Sequence, residues 1–195
     1  MEFEKIQSKS ERVRQWEERR AVVEAIRGAL GNPVGEPVKE SVIGLNLLGV
    51  RTIFSGEGRM EDFTRMTAPF IDVESPEAKR LEDDFEKNHK EDKEGGLNAF
   101  NAIEAEDARE QVLLENLKER AKLIVLLDEF YRGREVPYEQ RLTIESWKDN
   151  ISHITNEGAR LQGLFDEGVR RQKLLTYQEE VRAFGEFLKQ KYLLQ

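Results

Sequence analysis

Five apolar residues near the end of the chain, Leu174, Tyr177, Val181, Phe184 and Leu188, follow one another at steps of three, four, three and four. On a helix with 3.6 residues per turn, that spacing draws one apolar seam along one side. Such a seam suits burial against other helices, so the spacing predicts a helix over about 174–193. Residues 159–172 are either its N-terminal extension or a separate segment.

The same periodicity recurs upstream. Ile6, Val13, Trp16, Val23, Ile26 and Leu30 predict a first helix over 3–30, closed by Gly31-Asn32-Pro33. Residues 38–48 are apolar almost all round, which marks a buried helix, and Gly49 is placed to end it. Ser75 as N-cap and Pro76 at the first helical position open a third helix, to about Lys87. The longest helix runs from Ala102 or Glu104 to about Tyr131, with Gly133 as its stop. Ala105, Ala108, Val112, Leu117, Ala121, Ile124, Leu127 and Tyr131 form its expected apolar face. The polar stretch 88–96, NHKEDKEGG, reads as a mobile internal loop.

Between the helices, β-branched and aromatic residues bounded by turn signals predict strands at 51–54 and 68–73. RLTIES at 141–146 alternates as a half-buried strand does, and 151–155 is a weaker strand. Strands do not alternate regularly with helices, which argues against a doubly wound sheet. The expectation is α+β: a small sheet of three or four strands covered by long helices, in one domain over 1–195, with 1–31 a helical N-terminal segment.

Charged residues make up 36% of the chain and apolar ones 38%, a balance that suits long helices with one solvated face. Cysteine is absent, which removes disulfides, thiolate nucleophiles and Cys-bound zinc. A net charge of −8 argues against nucleic acid, whose affinity comes from neutralised phosphates. Glu11, Glu17 and Glu18 dilute the best basic patch, Arg12, Arg14, Arg19 and Arg20. The acidic opening Met1-Glu2-Phe3-Glu4 and the shortness of every apolar run lead to a soluble, cytoplasmic protein away from membranes.

The most irregular polar segment is RTIFSGEGRMEDFTRMTAPFIDVE, Arg51 to Glu74. Within it, Gly56 and Gly58 flank Glu57 and free the backbone to turn its N–H groups toward an anion. A helical turn over 60–66 would add its positive end. Arg59 and Arg65 would supply bidentate donors to a phosphate or carboxylate. On a strand, Asp72 and Glu74 share one face while Ile71 and Val73 pack inward. Those carboxylates would then either join Arg51 or Glu57 in a site or line an outward-facing edge strand. Ser55, Gly56, Glu57, Gly58, Arg59, Asp72 and Glu74 are therefore the candidate binding set. No metal centre or cofactor is expected. His89 reads as an exposed loop residue, and His153 as a half-buried structural histidine or a catalytic base without an evident nucleophile. Trp147, Tyr131 and Tyr138 near Arg132 and Arg134 read as core lids or pocket walls.

GLNLLGVRTIFSGEGR, APFIDVE, RLTIES and YQEEVRAFGEFLKQKYL together resemble a family of uncharacterised bacterial proteins, across about Gly44 to Tyr192. The family pattern places S-C-E-G-H in the loop, a P-F-I-D-V-like strand after it, and a closing YQ…F…FL helix. Ser55, Glu57 and Gly58 match that loop, whereas Gly56 replaces its Cys and Arg59 its His. A Cys–His pair would suit metal or thiolate chemistry, which Gly56 and Arg59 cannot perform. The resemblance implies no mechanism.

Three functions follow from these residues. The first is a binding or interaction protein whose loop 55–59 recognises an anionic small molecule or a partner's acidic group. The second is a Mg²⁺-dependent or acid/base enzyme using Glu57, Asp72 and Glu74. The third is a helical assembly protein, such as a homodimer, joined through its first and last helices.

Overall fold

The computed structural model describes residues 8–28, 31–61, 66–88, 99–148 and 150–195. The Ser8 hydroxyl caps the first helix, α1 (Lys9–Ala25), by accepting the Glu11 amide at 3.2 Å. α1 buries Trp16 and Val23 but stops earlier than its periodicity predicts. Ile26 is extended and exposed, Arg27 pairs with Pro33, and the chain reverses through Gly31 at φ 77°. Ile6 and Leu30, expected on this helix, lie outside the described residues. α2 (Glu36–Leu47) then buries Val38, Val42, Ile43 and Leu45, and Gly49 follows it at φ 81°, as expected.

The next strands are β1 (Thr52–Gly56), β2 (Arg59–Met60), β3 (Met66–Thr67) and β4 (Phe70–Glu74). From Phe54 onward, β1 pairs with β4 and β2 with β3 in one continuous register, Gly56 facing Phe70 and Arg59 facing Thr67, while the register shifts between Thr52 and Phe54. They form one long hairpin interrupted at Gly58 and Pro69, where proline has no amide to give the ladder. Met60 faces Met66 across the outer ribbon, so paired strands replace the ends of the helical turn expected over 60–66. Its centre, with Arg65, lies outside the described residues.

Ser75 caps α3 (Pro76–Asn88), its hydroxyl accepting the Ala78 amide at 3.2 Å. Beyond Asn88, the loop expected at 88–96, with His89, lies outside the described residues. α4 (Ala99–Tyr131) is followed by Gly133 at φ 76°. A second hairpin, β5 (Leu142–Lys148) and β6 (Ile151–Asn156), leads through a 3-10 stretch, Glu157–Leu164, into α5 (Glu167–Leu194). Asp166 caps α5 by accepting the Val169 amide at 2.9 Å.

The architecture is α+β. Its four-stranded antiparallel sheet has the order β1-β4-β6-β5, and the small β2-β3 ribbon extends it. β4 therefore lies inside the sheet, which corrects the edge-strand reading of Asp72 and Glu74. Ile71, Val73 and Ile154 enter a core shared with α2, α4 and α5. The α5 seam is buried throughout, with Phe184 and Leu188 at 0% exposure. This corrects the expectation that the last helix offers them to a partner chain: the seam serves this chain's own core.

α4 requires a further correction. Its buried stripe is Val112, Asn116, Glu119, Leu123, Leu126, Leu127 and Phe130, while Leu117 and Ile124 are exposed. No described helix is long and apolar enough to cross a membrane.

Candidate functional site

The sheet's outer face and the bend of the first hairpin form two open clefts. The first, about 420 Å³, is lined by all five loop residues from Ser55 to Arg59, together with Pro33, Gly35, Glu61, Thr67 and Phe70. Its backbone is fixed from both sides. The Gln178 amide on α5 donates to the Glu57 carbonyl at 2.9 Å. Beneath the ribbon, Met66 and Ala68 pack on Leu174 and Tyr177.

The two glycines have different physical reasons. Gly58 takes φ 73°, and a Cβ there would lie 2.7 Å from Pro69 N and Thr67 O. Gly56 belongs to a strand, and a Cβ on it would strike the Phe70 ring. Of the two, only Gly58 has the left-handed backbone, so the positive φ expected of both glycines is found at one.

Phe70 is the partition between the clefts. Its ring lies over Gly56 on one side and stacks on His153 on the other, at 5.2 Å and 25°. The second cleft, about 530 Å³, shares Glu61, Thr67 and Phe70 with the first and adds Asp72, Glu145, His153, Thr155 and Arg160. Cross-strand register sets Asp72, His153 and Glu145 side by side on β4, β6 and β5. His153 Nδ1 donates to Asp72 Oδ1 at 2.5 Å, since an ionised carboxylate can only accept. Arg160 binds Glu145 at 2.6 Å. An aspartate that fixes an imidazole in this way sets its tautomer and orientation, the support a histidine needs for proton transfer.

Among the seven candidate residues, the structure brings Ser55, Gly56, Glu57, Gly58 and Arg59 together and places Asp72 in the adjoining cleft. Glu74 is elsewhere. It is buried, 3.6 Å from Arg51, and Asn150 lies between it and Glu82. Glu57, Asp72 and Glu74 thus do not share a cleft.

Sequence reasoning missed the union of His153 with Asp72 and of Arg160 with Glu145. Alternation in β4 and β6 put each acid or base on the outer face, but strand order was needed to make them neighbours. Tyr131 is a core lid: its ring lies 5.6 Å from the Arg134 guanidinium, and its hydroxyl accepts the Leu142 amide at 2.6 Å. Tyr138 is exposed.

Two carboxylates of the second cleft are held by basic side chains, whereas Glu57, Arg59 and Glu61 have no ion-pair partner among the described residues. Asp72 is held by His153, Glu145 by Arg160, and Glu61 accepts the Thr67 hydroxyl at 2.7 Å. Glu57 and Arg59 are both exposed. Among the described residues no three His, Cys, Asp or Glu side chains cluster as metal ligands would. Below the site, burial and the nearby Glu139 carboxylate push the Tyr177 phenol above its usual range.

Compared with family models, curated proteins and solved structures, the chain matches none of them.

Proposed function

We propose that the protein binds a small zwitterionic molecule in the first cleft, with its anionic group at Arg59 and its amine at Glu57. One observation carries the reading: Glu57 and Arg59 line the same cleft with opposite charges, exposed, and among the described residues no ion pair occupies either. Guanidinium suits a carboxylate or phosphate because its planar fork donates two parallel hydrogen bonds. A purely anionic ligand is a poorer match, because Glu57 and Glu61 share the walls and would repel it. The buried Gly58, pinned under Pro69 and beside the Gln178 contact, holds the two handles at fixed separation, which lowers the ordering cost of binding.

Two related probes test this reading. Phosphoethanolamine carries the same anion as inorganic phosphate, plus an ammonium group. At millimolar concentration it is expected to raise the thermal midpoint more than phosphate does, through selective binding to the folded state. Arg59→Ala should abolish both shifts while leaving the unliganded midpoint nearly unchanged, as surface substitutions usually do. A wild-type midpoint indifferent to both probes would exclude the reading.

A further inference from the structure

Glu57 lies against the start of α2. A Cβ on Gly35, the N-cap of that helix, would come within 2.5 Å of Glu57 Cβ and 2.6 Å of its Oε2. Packed carbon atoms stand about 3.5–4.0 Å apart, so no side chain fits at position 35 unless Glu57 moves. The backbone does not ask for glycine there, since φ −64° and ψ 143° are open to any residue. Capping does not ask for it either: glycine leaves α2 without the side-chain oxygen that Ser, Thr, Asp or Asn supplies. What remains is the room it leaves for Glu57.

We propose that Gly35 is a positioning residue of the first cleft, which seats the Glu57 carboxylate and so sets the preference for a zwitterion over a simple anion. This inference rests on the binding reading above. Gly35 and Glu57 both line that cleft. The seated carboxylate is at the positive end of α2, which favours its charge. Lys39 shares a neighbouring cleft with Glu57 but is engaged by Glu36 and, at 3.5 Å, by Glu24. The charge of Glu57 is thereby left to the ligand's ammonium group.

The loop has little freedom to withdraw from an added side chain. The Gln178 amide holds the Glu57 carbonyl at 2.9 Å, and Gly58 is packed against Thr67 and Pro69. A Cβ at position 35 therefore turns the Glu57 carboxylate out of its seat. Arg59 follows Gly58 and is fixed by its pairing with Thr67 across the ribbon, so the anion handle keeps its place. The two handles are separable by a substitution that touches neither of them.

Gly35→Ser distinguishes positioning from helix capping, because serine is the better N-cap yet carries the Cβ that Glu57 leaves no room for. Thermal midpoints of the full chain, titrated with phosphoethanolamine and with inorganic phosphate, are the readout. Phosphate should bind the variant as it binds the wild type. Affinity for phosphoethanolamine should fall about threefold, toward that of phosphate, as expected for an exposed charge contact. Gly35→Ala, which adds the Cβ alone, should act alike. Glu57→Gln keeps the size of the side chain, removes its charge, and should lose the same preference. A preference lost in Glu57→Gln but kept in Gly35→Ser and Gly35→Ala overturns the role of Gly35 alone. Loss of the phosphate shift together with the preference would mean that the whole loop moves, and also overturns it. A wild type indifferent to both probes, or a Glu57→Gln chain that still prefers phosphoethanolamine, overturns the binding reading and this inference with it.

Discussion

Tyr177 shows how far single residues could be understood from the sequence. Its place in the α5 seam predicts burial, and it is fully buried. Its hydroxyl is another matter. It points at Gly158, where a Cβ would strike it, and among the described residues it has no hydrogen-bond partner. An unpaired buried hydroxyl costs about 1–3 kcal/mol, so Tyr177→Phe should leave stability unchanged or raise it. The urea midpoint measures this. A clear loss would mean that the hydroxyl has a partner such as a bound water. Apolar spacing exposes which side chains go inside but is blind to where their polar tips end. For the same reason His153 read as an isolated histidine, although Asp72 was already in view two strand positions from Glu74.

Elements carry their own lesson, because steps of three and four define a stripe but not its direction. On α5 there is one apolar stripe, and the sequence identified it correctly. α4 has two, and choosing Leu117 and Ile124 over Asn116, Glu119 and Leu123 put solvent residues in the core. The buried stripe includes Asn116 and Glu119, polar positions whose burial no hydropathy pattern announces. Ser152 donates to Asn116 at 3.3 Å, a contact that exists only once β6 lies against α4.

Close approach of α2 and α5 was similarly hidden. Ser41 donates to the Val181 carbonyl at 2.8 Å, and a Cβ on Gly185 would come within 2.8 Å of Ser41 N and Glu40 Cβ. Glycine inside a helix costs about 1 kcal/mol relative to alanine, which is the one sequence sign that something presses there. Gly185→Ala should nonetheless destabilise, by about 1–2 kcal/mol, because forcing apart two packed helices outweighs the propensity gain. Equilibrium urea unfolding decides it, and a more stable variant would mean that the helices separate freely.

At the scale of the whole molecule, three tyrosines tie α5 and its neighbours to one alkaline limit. Tyr131 connects the end of α4 to β5, Tyr177 underlies the ribbon, and Tyr192 lies against Trp16 of α1 at 6.1 Å. All three phenols are raised above the usual range, each chiefly by burial. At Tyr131 the Glu180 carboxylate adds to the effect while the Leu142 amide opposes it. A phenol ionises by losing a proton, so a raised folded value means the folded state keeps protons that the unfolded chain releases. Below about pH 10, the unfolded value, both states are protonated and the contribution to stability is constant. Above it the unfolded state ionises first, and stability falls as pH rises toward the folded values. Each such tyrosine steepens the fall by up to about 1.4 kcal/mol per pH unit. Urea midpoints taken at increasing pH should therefore be limited by these groups beyond about pH 10. With the exposed Tyr138 replaced by Phe, so that the signal reports these three phenols alone, tyrosinate absorbance should appear with unfolding rather than before it, and Tyr177→Phe should make the decline shallower. If these three phenols titrate freely while circular dichroism remains native, they are not buried as described, and the packing of α5 against α1, α4 and the ribbon would have to be redrawn.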